Sequence, residues 1–314
     1  MMKRKRARRD GSTAIYYAVD DTPMYLFMVE RSLESLRRHN QSIRVYLLVF
    51  GELSRREASR FADLNVMIVR RRRSRVERGT FLKWLALTEI REHRVLFLDA
   101  DTIVHDDPIH LFDALTQADF YAREELGTEA DRAAYLIGTM PVFPQLDRSR
   151  YADALPRTVG GDLPVVFNTG VMLFNHGIHH QLAGRLDEFH RWRRTFADNP
   201  KRYPSKNWHI QDEIIASLVF SRLRGFRSDR LPRELSPWYI DWRAGEVPGP
   251  GVVIHTWRGY YPFYLRDFGQ DEALSLFAPH AGIVLRPRED DARPRHASSS
   301  RQRADGSASG RATR

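Results

Sequence analysis

Cysteine is absent from the 314 residues. That excludes disulfide frameworks, thiolate zinc sites and a cysteine nucleophile together. Long apolar runs are missing as well: none approaches the roughly 18–20 residues that a membrane span requires. The basic opening, residues 1–9, is not followed by an apolar stretch, so it does not read as a secretory signal. A soluble, cytoplasmic protein is expected. Acidic residues are in deficit, 40 Asp+Glu against 50 Lys+Arg, which raises the question of nucleic acid. Residues 1–12 carry a net +5 and residues 286–314 a net +4, leaving about +1 of the total +10 for everything between. The middle is close to neutral, so nucleic acid is not the expected partner. The C-terminal stretch is rich in Ser, Gly, Ala and Arg and too poor in apolar residues to repay ordering. Three segments are therefore expected: a disordered basic arm over 1–12, one domain over 13–285 and a disordered Arg/Ser-rich tail over 286–314. The tails are solvated, or touch an anionic membrane surface weakly.

What the chain does have is apolar periodicity, with 42% hydrophobic residues to build a core. Residues 13–19 form a short apolar run that reads as a buried strand. Thr22-Pro23 offers an N-cap followed by a first-turn proline. Leu26, Val29, Leu33 and Leu36 then mark one face of a helix. Strands over 44–50, 66–69 and 95–98 alternate with helices over 54–63 and 80–90. This βαβαβαβ order predicts an α/β fold with a mostly parallel central sheet flanked by helices. Residues 124–164 read as a long active-site insertion. A strand over 165–174, one helix marked by Leu182, Leu186, Phe189 and Phe196, a short helix over 211–220 and a strand over 252–255 complete the domain. The arginines at 70–73, with Arg75 and Arg78, lie on a loop that faces either solvent or an anionic substrate.

Ligands of open parallel sheets gather at the carboxyl ends of the strands. There the sequence places its most suggestive pair. Val95-Leu96-Phe97-Leu98 runs directly into Asp99-Ala100-Asp101. Unpaired, two carboxylates at i and i+2 after a buried strand would repel, and one would shift its pKa upward. A hard divalent cation, Mg²⁺ or Mn²⁺, relieves that repulsion. The simpler alternative is an acid capping the next turn.

Leu96-Phe97-Leu98-Asp99-Ala100-Asp101 resembles the Asp-x-Asp strand end of family 8 glycosyltransferases, which have the GT-A nucleotide-sugar-binding fold. Other blocks follow in that family's order. Ala18-Val19-Asp20-Asp21 resembles its nucleotide-binding start, and Thr80-Phe81-Leu82-Lys83 its Thr-aromatic-x-basic segment. Residues 167–175, Phe-Asn-Thr-Gly-Val-Met-Leu-Phe-Asn, resemble its Phe-Asn-x-Gly strand. Gln211-Asp212 resembles its Asp-Gln-Asp segment and Ile254-His255 its C-terminal histidine. The likeness spans roughly residues 13–264. Two departures stand out: Ile210 replaces the first Asp of Asp-Gln-Asp, and Tyr261 stands where a diphosphate-contacting Lys is usual, with Gly259 one place late. Arg258 is a nearby substitute base.

The resemblance implies a metal-dependent transferase, with Mn²⁺ or Mg²⁺ held by Asp99, Asp101 and His255. The partners it implies are a nucleotide-sugar donor, a UDP-sugar, and a glycan, lipid-linked or protein acceptor, with retention of configuration. His255 reads otherwise as a hydrogen-bonded strand-end histidine. Asp20 and Ala18 would meet the nucleotide base, although Asp20 equally suits a turn cap. Tyr16 or Tyr17 would stack on the base or belong to the strand core. Lys83 would neutralise phosphate or hold a donor hydroxyl; alone it reads as a solvated helix lysine. The Asn168 amide suits sugar hydroxyls, and Gly170 admits close approach of a ligand or neighbouring backbone. Gln211, near the anomeric carbon, would stabilise oxocarbenium charge through its carbonyl dipole. Asp212 also complements a helix N-terminus. Glu124 is a further sugar contact, and Trp208, Trp238, Trp242, Trp257, Tyr260 and Tyr261 form an acceptor platform or simply core. The rival reading is a haloacid-dehalogenase-type phosphohydrolase with Asp99 as nucleophile. That class places its Asp-x-Asp on the first strand, whereas three strands precede Asp99 here.

Overall fold

A computed structural model describes residues 12–72, 81–124, 167–198, 211–220, 222–223 and 225–256. Both basic tails (apart from Ser12), Thr80, most of the 124–164 insertion, Trp208, Ile210, and Trp257 with everything after it lie outside the described residues. The first half follows the expected alternation: β1 (Thr13–Asp20), α1 (Pro23–His39), β2 (Arg44–Phe50), α2 (Arg55–Asp63), β3 (Met67–Arg71), α3 (Leu82–Ala86) and β4 (Arg94–Leu98). Then come β5 (Thr102–Val104), α4 (Ile109–Ala114), β6 (Phe120–Glu124) and β7 (Phe167–Phe174). They are followed by α5 (Ile178–Ala183), α6 (Leu186–Asp198), α7 (Gln211–Phe220), β8 (Ser228–Arg230), α8 (Tyr239–Arg243) and β9 (Val253–His255).

A seven-stranded sheet runs in the order β3-β2-β1-β4-β7-β6-β8. β1 pairs in parallel with β2 and β4, β2 with β3, and β6 with β8. β7 is antiparallel to both β4 and β6, so the sheet is mostly parallel with one reversed strand near its centre. The fifth apolar run was legible as a buried strand, but burial on two faces does not encode direction. The reversal matters: it brings the first residues of β7 to the edge where β4 ends. β1 separates two hydrophobic layers by strict alternation. Ala14 and Tyr16 face the layer of α3, α5 and α7, while Ile15, Tyr17 and Val19 face α1. That two-sided burial explains why the strand reads as a continuous apolar run.

Local chemistry sets the helix starts. Pro23 opens α1 behind Thr22, whose N–H donates to Asp20 Oδ1 at 3.0 Å. Ser54 and Glu57 form a reciprocal capping box on α2. Two helices differ from expectation. The helix expected over 80–90 is α-helical only over Leu82–Ala86, and Leu87, Thr88 and Glu89 continue in tighter i→i−3 turns. Every residue of α3 is buried, so its sequence carries no amphipathic stripe to define its length. The single helix marked by Leu182 to Phe196 is broken into α5 and α6 at Gly184. Leu182 and Phe189 still share one layer; the spacing identified the face and was blind to the break. A small second sheet pairs β5 antiparallel to β9, with Thr102 opposite His255. Buried hydroxyls anchor it to α1: Tyr17 to Ser32 at 2.9 Å, Ser32 to Thr102 at 3.2 Å, and Ser35 Oγ accepting from Val104 N at 2.9 Å.

Candidate functional site

β4 ends at the carboxyl edge of the large sheet, and Asp99 leaves it under backbone control. Its N–H donates to the Gly170 carbonyl at 2.8 Å, and its own carbonyl accepts from Thr102 N and Oγ1 at 3.2 and 2.7 Å. The resulting turn carries Asp101 into register with β9. The Asp101 carbonyl accepts from Thr256 N at 2.9 Å and Thr256 Oγ1 at 2.5 Å. The three side chains Asp99, Asp101 and His255 therefore converge, each with a ligand atom within 4.8 Å of the others'. His255 Nε2 lies 3.4 Å from Asp101 Oδ1, with both groups buried.

The electrostatics follow from that burial. Desolvation pushes the Asp101 carboxyl up, but the hydrogen bond and charge of His255, with Lys83 behind, leave it below the usual carboxylate range. Burial pulls the His255 imidazole down, yet Asp101 and Asp99 together raise it above its ordinary value. Two carboxylate oxygens and an imidazole nitrogen, with Asp101 and His255 buried and Asp99 half-buried, fit a divalent cation. The ion would take the place of the imidazolium proton.

Lys83 is buried on α3 with a side chain only 5% exposed, not a solvated helix lysine. Its Nζ donates to Thr169 Oγ1 at 3.0 Å, to the Thr169 carbonyl at 3.1 Å and to Asp99 Oδ2 at 3.3 Å. The same ammonium sits 5.1 Å from the centroid of the Phe97 ring. It supplies a fixed positive charge beside the acidic pair.

The glycine of the Asn-Thr-Gly segment has a specific neighbour. A Cβ on Gly170 would lie 2.2 Å from His255 Cε1 and 2.6 Å from Nε2. The close approach expected here is made by a side chain, the candidate metal ligand itself. Asn168 braces this strand start: its Oδ1 accepts from Gly170 N at 2.9 Å and its Nδ2 donates to Glu213 Oε1 on α7 at 3.0 Å. Gln211 and Asp212 open α7, with side chains outside the described set, as is that of Glu124 at the end of β6. At the end of β1, Asp20 and Ala18 are partly exposed, and Asp20 holds the turn into α1. Asp21 Oδ2 accepts from Glu52 N at 3.1 Å, over Gly51 with φ +133°. Tyr16 and Tyr17 are both wholly buried. Tyr16 packs on Phe97 at 4.8 Å, so the expected stacking platform is strand core. Sequence reasoning missed Thr169, Thr256 and the pairing of Arg123 with Asp241. The β-branched run after Asp101 was the one available signal for β5.

No protein-family model matches the sequence, and no curated protein matches it. Solved structures do match in shape. The bifunctional glycosyltransferase WbbM superposes with a TM-score of 0.53 at 15% identity, over 87% of this chain and 52% of its own. The fold is that of the GT-A glycosyltransferases. GlyE of Streptococcus pneumoniae TIGR4 gives 0.50 at 17% identity, over 88% of this chain and 66% of its own. An active-site mutant of LgtC gives 0.50 at 18%, over 89% and 99%. The chain thus spans about half of the WbbM chain and about two thirds of the GlyE chain. On this GT-A sheet, the Asp99–Asp101–His255 cluster sits at the carboxyl edge of β4, beside the first residues of β7. No helix among the described residues is long and apolar enough to cross a membrane.

Proposed function

We propose that the chain is a metal-dependent glycosyltransferase of the family 8 type. It moves a sugar from a nucleotide donor, a UDP-sugar, to a glycan, lipid-linked or protein acceptor, with retention. The observation that carries this reading is the convergence of Asp99, Asp101 and His255 within 4.8 Å at the carboxyl edge of a GT-A sheet. A bound Mn²⁺ or Mg²⁺ supplies a Lewis acid that offsets charge on the departing diphosphate. Two carboxylates and one imidazole hold it, a donor set that suits Mn²⁺ over Mg²⁺. Lys83 orients the Asp99 carboxylate through its ammonium. Asp20 and Ala18 at the end of β1 bind the base. Asn168 presents its amide near the donor sugar, and the Gln211 carbonyl dipole stabilises positive charge at the anomeric carbon, with Asp212 at the same helix start. The leaving phosphate takes the acceptor's proton, so no protein general base is needed. Arg258 is the candidate replacement for the missing diphosphate lysine. The phosphohydrolase reading gains no support, since every structural neighbour named above is a glycosyltransferase.

The test is direct. UDP-glucose, UDP-galactose and their N-acetyl forms are screened for Mn²⁺-dependent thermal stabilisation and UDP release. One donor is expected to stabilise the protein and to be turned over, with both effects lost on chelation and in Asp101→Ala. Hydrolysis of p-nitrophenyl phosphate without any nucleotide-sugar effect would overturn the proposal.

A further inference from the structure

His255 is confined on two sides. Gly170 leaves room for the imidazole where any Cβ would collide. The indole of Trp238 stands edge-on to the same ring, with centroids 6.4 Å apart and planes at 88°. The backbones are joined too: Trp238 and His255 form a parallel β-bridge, and His255 N donates to the Pro237 carbonyl at 3.0 Å. What fixes Trp238 comes from a distant strand. Arg123 lies where the register of β6 against β7 shifts, between Ala122 and Glu124. Such an irregularity re-aims a side chain. The Arg123 guanidinium lies 4.2 Å from the centroid of the Trp238 ring. Its Nη2 donates to Asp241 Oδ2 at 2.5 Å, both side chains being 11% exposed. Asp241 belongs to α8, whose first turn closes on the Trp238 carbonyl. One guanidinium therefore grips an indole face and the helix turn that carries it.

Packing alone does not account for an arginine here. Its Nη1 is buried with no hydrogen-bond partner among the described residues. Methionine would fill similar space without leaving a buried donor unsatisfied. Arginine adds a planar cation that stacks on the ring while bonding the carboxylate. We infer that Arg123, Trp238 and Asp241 form a clamp that positions the His255 imidazole for the cation site. None of the three is among the candidate cation ligands, and they act through His255. The inference deepens the metal reading proposed above and, for its functional meaning, rests on it.

The experiment uses the full chain and begins without metal. With ¹³C-labelled histidine, the His255 Cε1–H resonance is assigned by its loss in His255→Ala. Arg123→Met and Asp241→Asn leave all groups touching His255 in place. The clamp predicts that each moves this resonance by about 0.2 ppm or more, well beyond the shifts of the remaining histidines. Mn²⁺ titration followed by electron paramagnetic resonance then reads affinity. Arg123→Met and Trp238→Leu are expected to weaken binding about tenfold, on the scale of other changes to groups that orient metal ligands. Trp238→Phe, which keeps a ring, is expected to stay within about twofold. In a His255→Ala background Arg123→Met should cost nothing further, because its route is gone.

An unmoved His255 resonance in both Arg123→Met and Asp241→Asn would overturn the clamp. So would an equal loss of Mn²⁺ affinity with and without His255, which would mark a direct or general structural role. Should Arg123→Met fail to fold, the near-isosteric Asp241→Asn carries the same two measurements. Wild-type protein that binds no Mn²⁺ would sink the metal reading, while the metal-free resonance still decides whether the clamp sets the ring.

Discussion

Replacing Gly170 by alanine is the sharpest perturbation the site offers. The new Cβ would meet His255 Cε1 at 2.2 Å, Nε2 at 2.6 Å and Nδ1 at 2.7 Å. Non-bonded carbons settle near 3.5–4.0 Å, so the imidazole must retreat by about 1 Å or more. Metal sites tolerate about 0.2 Å in a ligand bond. His255 would therefore cease to be a ligand. The loss of Mn²⁺ affinity should reach about 10–100-fold, or about 1.4–2.7 kcal/mol, and turnover should fall with it. Overpacking adds about 1–3 kcal/mol of destabilisation without metal. Gly184→Ala is the control: its nearest neighbour is Gln181 O at 3.4 Å and its φ is −67°, so stability should change by no more than about 1 kcal/mol. Titration of Mn²⁺ by electron paramagnetic resonance and thermal melts of both variants make the comparison. If Gly170→Ala bound Mn²⁺ like the wild type and melted like it, the reasoning about this contact would be refuted.

Other consequences are equally open to measurement. Mn²⁺ affinity should climb about tenfold per pH unit below the raised pKa of His255 and level off above it, because the ion displaces the imidazolium proton; a flat profile between pH 5.5 and 7.5 would contradict this. Lys83→Met should lower turnover at least about tenfold and cost about 1–3 kcal/mol by leaving Asp99 and Thr169 without their shared donor; a denaturation curve and an assay of UDP release check both. His179 is wholly buried, and burial first, then the neighbouring His180, hold its imidazole down to about 4. Between its ordinary 6.5 and that value the unfolded chain binds a proton the folded chain refuses, so stability falls as pH drops through this window. The loss should be about 3 kcal/mol, and urea titrations of the wild type and His179→Phe should differ in slope there.

The first four strands and the Asp99–Asp101 pair were legible because each rests on local information: an apolar run, a cap, an i, i+2 spacing. The predicted strand over 44–50 coincides with β2, and the 95–98 strand differs from β4 by one residue. What was hidden depends on pairing between distant segments. β5 is three residues long, too short to register as periodic, yet it brings His255 to Asp101. Gly170 was legible as a point of close approach, but not as the seat of an imidazole 85 positions later in the chain. Without the resemblance, Lys83 offers only the reading of a solvated helix lysine, because a single helix turn cannot reveal that every side of it is covered. Tyr16 had two readings, and only the layers on both faces of β1 chose between them.

The β5–β9 ribbon also sets an order of events during synthesis. Among the described residues, the last strand of the large sheet in chain order, β8, ends at Arg230, whereas His255 lies on β9. A nascent chain can thus pair these strands while the two acids, with Lys83 beside Asp99, wait for an imidazole 154 positions beyond Asp101. On the metal reading proposed above, ion capture follows the pairing of that sheet, and a product truncated just after β8 should bind Mn²⁺ more weakly, since it lacks the imidazole together with Leu231, Tyr239 and Val252–Ile254 of the α1-side core.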